Sequence, residues 1–192
     1  IKLILGLNSN YAGSIKYDAF DIDTIPANKM SKIATLITND SYLVQGSIRS
    51  HLSVNKHITE EDMYNALEKV NLKDFVIENG GLDYQLSCGA SNLSGGQKQR
   101  LLAAKAILKD SYIYILDEAV SNIDDYSKKI VLDAFDSIKN GKIIVVISHD
   151  LETITNSDNI YVLKDQQIIE EGTHEQLIDK PSLYKKLFND QQ

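Results

Sequence analysis

Two uninterrupted apolar runs, Tyr112-Ile113-Tyr114-Ile115-Leu116 and Ile143-Ile144-Val145-Val146-Ile147, constrain the fold more than any other feature of this sequence. Each has the length of one strand, and neither alternates apolar with polar residues as a half-solvated strand does. Asp124 to Ile138, between them, reads as a helix. Strand, helix and strand with near-continuous apolar strands predict an α/β chain whose parallel sheet is covered on both faces. At 192 residues and roughly 150 residues per domain, the chain fits one domain or one domain with a small subdomain. Apolar residues make up 43% and charged residues 24%, close to globular averages, so a core can form without disulfides. Cys88 is the only cysteine, which excludes an internal disulfide and a multi-cysteine metal site. The net charge of −7 argues against a dedicated nucleic-acid binder, which would carry a basic patch. The longest apolar runs fall far short of the ~18 residues that span a bilayer, and no signal peptide opens the sequence.

The remaining elements follow from local signals. Ile1 to Leu7 is apolar with no start signal before it, as in a helix or strand entered past its beginning. Asn8 to Ser14 reads as a turn into a short strand at Ser14 to Asp18, and Ile33 to Ile37 as a second strand. Thr59-Glu60-Glu61-Asp62 has capping-box spacing, and Met63, Leu67 and Val70 continue it at helical intervals. A glycine-containing stretch from Asn79 to Ser94 leads to a helix over Ser94 to Leu108. Lys142 to Ser148 is expected to be a buried strand, followed by a short helix after His149. Asn159–Lys164 and Gln167–Glu171 predict a hairpin turning through Asp165-Gln166; Thr173 to Gln176 predicts another capping box, and Pro181 the first turn of a last helix. Two regions emerge: a mainly helical one over 39–110, and an α/β core made of 1–38 and 111–192.

Three places carry chemistry. Leu93-Ser94-Gly95-Gly96-Gln97 is itself a capping box, Ser94 capping and Gln97 reaching back. Its two glycines remove side chains from the first helical turn, so backbone N–H groups can meet phosphate oxygens. The same residues also suit an ordinary capped helix, although the pentapeptide should arise by chance in a chain of this size with a probability on the order of 10⁻⁴ to 10⁻³. The first apolar run ends in Leu116-Asp117-Glu118. Carboxylates at the C-terminal end of a buried parallel strand stand where α/β proteins bind ligands. Asp117 can hold magnesium through water, and Glu118 can orient or deprotonate an attacking water; alternatively the pair only caps the strand in solvent. The second run ends in Ser148-His149-Asp150, which puts a hydrogen-bond donor at the same expected sheet edge.

In order and spacing, Leu-Ser-Gly-Gly-Gln, the strand ending Ile115-Leu116-Asp117-Glu118, the Ser121-Asn122-Ile123-Asp124 loop and His149 resemble the ATPase (nucleotide-binding) domains of ABC transporters. The resemblance covers essentially the whole chain. Tyr42-Leu43-Val44-Gln45-Gly46-Ser47-Ile48-Arg49 and Gly172-Thr173-His174-Glu175-Gln176-Leu177 are similar to segments of the exporter type. It implies a P-loop-NTPase-like, mostly parallel sheet with helices on both faces plus a helical signature subdomain. By position, Ser94, Gly95 and Gly96 would bind the γ-phosphate of an ATP held mainly by an opposing domain, with Leu93 and Gln97 completing the cofactor-binding motif. Asn39 would stand at the Q-loop, Asp117 would serve Mg2+, and Glu118 would polarise the hydrolytic water. His149 would contact the γ-phosphate, and Asp124 would signal across a head-to-tail dimer. The implied partners are a second nucleotide-binding domain and an exporter's transmembrane domain, which would hold an otherwise soluble chain at the cytoplasmic side of the membrane.

Departures from the pattern set further expectations. A P-loop requires Gly-x4-Gly-Lys-Ser/Thr; of the ten glycines only Gly141 precedes a lysine, and Ile143 follows it. The resemblance places Ile1 to Leu7 on the helix just after that motif, so the strand carrying it and the adenine-stacking aromatic would lie upstream. Asn39 is one methylene shorter than the glutamine usual there, Asn122 replaces an alanine and Val120 a threonine. The expected function is ATP hydrolysis that drives export. The alternative is a non-catalytic module that completes a partner's composite ATP site.

Overall fold

In a computed structural model, which describes residues 1–8 and 10–191, the chain divides into two compact units, Ile1–Val145 and Val146–Gln192. The first unit opens on a single turn closed by hydrogen bonds from Leu5 N–H to Ile1 O and from Leu7 N–H to Lys2 O, where the apolar run had suggested an ongoing helix or strand. A two-residue ladder follows, β1 (Lys16–Tyr17) against β2 (Phe20–Asp21), then α1 (Ala27–Ile33) and β3 (Ala34–Thr38). Next come β4 (Gly46–Ser47), α2 (Ile48–Leu52), α3 (Glu60–Lys69), α4 (Lys73–Glu78) and β5 (Gln85–Leu86), with β4 and β5 paired antiparallel. The long helix α5 (Gly95–Leu108), β6 (Ile113–Asp117) and α6 (Asp125–Asp136) complete its regular structure up to β7 (Ile143–Ile147).

Local chemistry fixes the helix starts. Thr59 and Asp62 exchange hydrogen bonds as the predicted capping box of α3, which satisfies two amides the helix leaves unbonded. Helix α5 lies at the centre of the larger core: Leu101, Leu102, Ala103, Ala104, Ala106 and Leu108 are all buried. Its alanines let α2, α3, α6 and β3 pack against it, and burying a leucine such as Leu101 contributes about 1.5–3 kcal/mol. A smaller core joins Leu5, Ile22, Met30, Ala34, Ile113 and Ile115.

The sheet runs β3-β6-β7. Strands β3 and β6 are parallel, with Ala34 opposite Ile113 and Thr38 opposite Asp117. Strand β7 corrects an expectation: it is not buried, since Ile143 is 59% and Ile147 36% exposed. Its apolar run resembles that of β6, but β7 ends the order of the described sheet, and an end strand lacks a neighbour to cover it.

In the second unit, β8 (Ile160–Lys164) and β9 (Gln167–Gly172) form the predicted hairpin. Asp165 and Gln166 both take positive φ, 49° and 66°, as a two-residue hairpin turn matched to strand twist requires. The capping box of Thr173 and Gln176 opens α7 (His174–Ile178). The last helix, α8 (Leu183–Gln191), starts two residues beyond Pro181. The first-turn expectation for that proline fails because Ser182 Oγ accepts the Lys185 N–H, while the Glu170 carboxylate accepts the amides of Leu183 and Tyr184. Ile160, Val162, Leu177 and Tyr184 form this unit's core.

Candidate functional site

The parallel register of β3 and β6 brings the first pair of candidates together. Thr38 and Asp117 are partners at the ends of their strands, so Asn39 and Glu118 leave the sheet side by side at its carboxyl edge, where α/β sheets bind ligands. Asn39 is exposed, and Asp117 and Glu118 are half-buried. Glu118 takes φ +52°, a conformation costly for a residue with a side chain and held only where its surroundings fix it. A tight turn fixes it here: the Glu118 carbonyl accepts both the Ser121 N–H at 3.2 Å and the Ser121 hydroxyl at 2.9 Å.

The second group is the start of α5. Ser94 Oγ accepts the Gln97 N–H at 3.1 Å, and Gln97 Oε1 accepts the Ser94 N–H at 2.9 Å. Accepting that bond leaves the Ser94 hydroxyl able to donate; Ser94 is exposed, whereas Leu93 is buried. The two glycines differ. A side-chain carbon on Gly95 would meet nothing within 4 Å, but one on Gly96 would lie 2.1 Å from Ser127 Oγ and 2.7 Å from Asp124 Oδ2. Gly95 therefore leaves the helix N-terminus open to an anion, and Gly96 admits the first turn of α6.

Asp124 is the N-cap of that turn, its Oδ1 accepting the Ser127 N–H at 2.8 Å. Hydrogen bonds from the Ser127 backbone and hydroxyl hold its carboxyl below the ordinary carboxylate range, with a smaller contribution from Arg100. The contact through Gly96 thus joins Asp124 to the Ser94 segment in one assembly. His149 belongs to the second unit, where its carbonyl accepts the Gln191 side-chain amide at 2.6 Å.

Sequence reasoning missed Arg100, Asn71, Tyr126 and Ser127, which surround the junction of α5 and α6. One signal was available: Arg100 follows Gly96 by four residues and so shares its helix face.

The donor set can be tested against a divalent cation. Among the described residues no group of three or more His, Cys, Asp or Glu could enclose a metal ion. The half-buried carboxylates at the end of β6 fit magnesium, which keeps several waters and takes one or two carboxylates alongside substrate phosphates.

Comparison with known proteins identifies the family and the fold. The family described as ABC transporter matches residues 1–121. An uncharacterised ABC transporter ATP-binding protein of Haemophilus influenzae is 40% identical over 192 residues, covering 100% of this chain and 34% of its own length. An ATP-dependent lipid A-core flippase of Saccharophagus degradans is 34% identical over 196 residues, covering 100% of this chain and 33% of its own. An ABC multidrug transporter of Emericella nidulans is 35% identical over 182 residues, covering 93% and 14%. The structure of a bacterial Atm1-family ABC exporter with ATP bound superposes with a TM-score of 0.91 at 24% identity, over 99% of this chain and 34% of the other, and shows the same fold. The chain spans about a third or less of the length of these relatives. It belongs to the ABC transporter family.

Proposed function

We propose that this ABC transporter chain is part of the ATPase of an exporter, coupling ATP hydrolysis to movement of a substrate across a membrane. The observation that carries the reading is the register of Thr38 with Asp117, which sets Asn39, Asp117 and Glu118 at one sheet edge. Names of relatives, a flippase and a multidrug transporter, support the export side.

In this reading ATP lies between two nucleotide-binding domains. Leu93 anchors the signature turn from below; Ser94, Gly95, Gly96 and Gln97 present its N-terminus to the γ-phosphate. Asp117 would hold Mg2+, whose chemistry is to neutralise phosphate charge, while Asn39 stands at the Q-loop, one methylene short of the usual glutamine and so less able to reach the ion. Glu118 accepts a proton from the attacking water, and His149 donates a hydrogen bond to the γ-phosphate. Asp124 reports the state of one site to the other. The helical region 39–110 carries the signature helix, and residues 1–38 with 111–192 form the catalytic core. A transmembrane domain holds the chain at the cytoplasmic side of the membrane; among the described residues no helix is long and apolar enough to cross one.

The sequence holds no Gly-x4-Gly-Lys-Ser/Thr, so the main phosphate cradle is supplied by other residues. Asn39, Asn122 and Val120, which stand where the family pattern has glutamine, alanine and threonine, support a second reading, a non-catalytic module that completes a partner's composite ATP site. Titration of the 192-residue chain with a fluorescent ATP analogue tests the cradle: we expect no binding in the low micromolar range, and binding there would overturn the assignment. Phosphate release by the full-length polypeptide separates the readings. Turnover that Glu118→Gln removes supports the ATPase, and turnover indifferent to Glu118 supports the module.

A further inference from the structure

Arg100 lies one turn beyond Gly96 on α5 and faces the same way. Its Nη1 donates to the Asn71 carbonyl at 2.7 Å, and its guanidinium carbon stands 5.9 Å from the centroid of the Tyr126 ring, within cation–π range. Asn71 takes φ +48° in the turn between α3 and α4, and its side-chain amide donates to the Tyr126 hydroxyl at 2.5 Å. Three elements therefore meet at one guanidinium: the signature helix, the α3–α4 turn and the first turn of α6. The last is the turn that Gly96 admits against Ser127 and Asp124.

The arrangement is an expensive way to fill space. Arg100 Nε is buried and has no hydrogen-bond partner among the described residues, and an unmatched buried donor costs free energy that an apolar side chain of similar length would not. What the guanidinium supplies and an apolar chain cannot is direction: a planar fork fixed at once to a carbonyl and an aromatic face.

We propose that Arg100 is a positioning residue, which locks the Ser94–Gly96 turn and the Asp124 loop into one rigid body so that both reach a bound ATP together. It touches no nucleotide itself and acts through Tyr126 and the Gly96–Ser127 contact. The inference rests on the reading that Ser94 and Asp124 meet ATP between two domains.

The test uses the full-length polypeptide, with Arg100→Met, Arg100→Lys, Arg49→Met and Glu118→Gln. Methionine keeps the apolar stem and removes the fork. Steady-state phosphate release should show kcat for Arg100→Met down about tenfold with KM for ATP within about twofold, the pattern of lost alignment rather than lost binding. Arg100→Lys, which keeps a charge over Tyr126, should recover about a third or more of the wild-type kcat. Arg49→Met removes another guanidinium, one paired with Glu60 and Asp83, and should leave kcat unchanged. An unchanged kcat in Arg100→Met, or an equal loss in Arg49→Met, overturns the proposal. If Glu118→Gln abolishes turnover and Arg100→Met does not, only the Arg100 inference falls. If the wild type has no turnover for Glu118→Gln to remove, the ATPase reading falls, and amide exchange on the 192-residue chain decides Arg100. Arg100→Met should then speed exchange at 95–98 and 125–128 together by about tenfold, and protection unchanged at either segment overturns the lock.

Discussion

Gly96 of α5 and Ser127 of α6 touch so closely that a side-chain carbon on the glycine would sit 2.1 Å from the serine hydroxyl and 2.8 Å from its Cβ. Both residues lie in the first turns of their helices, so two helix N-termini cross at this point. Gly96→Ala must push α6 away or distort its cap, at a cost of about 1–3 kcal/mol, which exceeds the gain of up to about 1 kcal/mol that alanine brings to a helix. Gly95→Ala meets open space and should be neutral or slightly stabilising. Urea unfolding of the two variants checks the contrast, and equal midpoints would contradict the packing.

That contact also marks the limit of what the sequence discloses. The capping boxes at Thr59, Ser94 and Thr173, the strand ending in Asp117 and the hairpin through Asp165-Gln166 were readable because each is written within a few adjacent residues. Asp117 and Glu118 could be placed at the ligand-binding edge because an α/β sheet binds ligands at the carboxyl ends of its parallel strands. Asn39 was placed only by the resemblance, and the register of Thr38 with Asp117 came from the structure. The exposure of β7 was not readable, since the residues of an apolar strand do not say whether it ends a sheet. Nor was the task of Gly96: the pentapeptide explains both glycines as clearance for a ligand, while the space beside Gly96 is taken by Asp124 and Ser127, distant in the chain. Arg100 escaped notice for the same reason, its partners Asn71 and Tyr126 being distant in the chain.

The caps should behave as a coupled pair. Ser94→Ala and Asp124→Ala each remove a side-chain acceptor from a helix N-terminus, which typically costs about 0.5–2 kcal/mol. Because the two turns share the Gly96 contact, loss of one loosens the setting of the other. The double variant should differ from the sum of the singles by about 0.5 kcal/mol or more. Strict additivity in urea unfolding would show two independent caps.

His51 gives the chain a pH dependence with a definite sign. Its ring is buried, with Nε2 3.0 Å from the Val44 carbonyl. Burial lowers its pKa below the ordinary histidine value; the Val44 contact opposes this and Lys105 adds to it. The folded chain thus favours neutral imidazole, while the unfolded chain takes up its proton as pH falls through about 6.5. Stability from this group is full above that pH and declines below it. Unfolding midpoints should fall between pH 7.5 and 5.5, and His51→Gln should flatten that fall while lowering the midpoint at pH 7.5. A variant whose pH slope matches the wild type would assign the dependence to other groups.

Glu118 and Ser94 should act on opposite sides of one nucleotide, and their variants should separate in opposite directions in the full-length protein. Glutamine at 118 keeps the size of the side chain and one carbonyl oxygen, so the strained turn closed by Ser121 should survive. It removes the basicity needed to take a proton from water, a loss worth about 10²–10⁴ in rate. It also removes a negative charge facing the triphosphate, which lessens repulsion. Glu118→Gln should therefore bind ATP, turn over little of it and accumulate an ATP-dependent dimer of nucleotide-binding domains. Ser94→Arg should do the reverse. The open approach beside Gly95 would be filled by a bulky cation at the cap position, and the signature turn could no longer close on the γ-phosphate. Size-exclusion chromatography with ATP, run beside phosphate release, distinguishes the two. Retention of more than about a tenth of wild-type turnover by Glu118→Gln, above the range for loss of a general base, would remove Glu118 from that role, and an ATP-dependent dimer of Ser94→Arg would remove the signature turn from the interface.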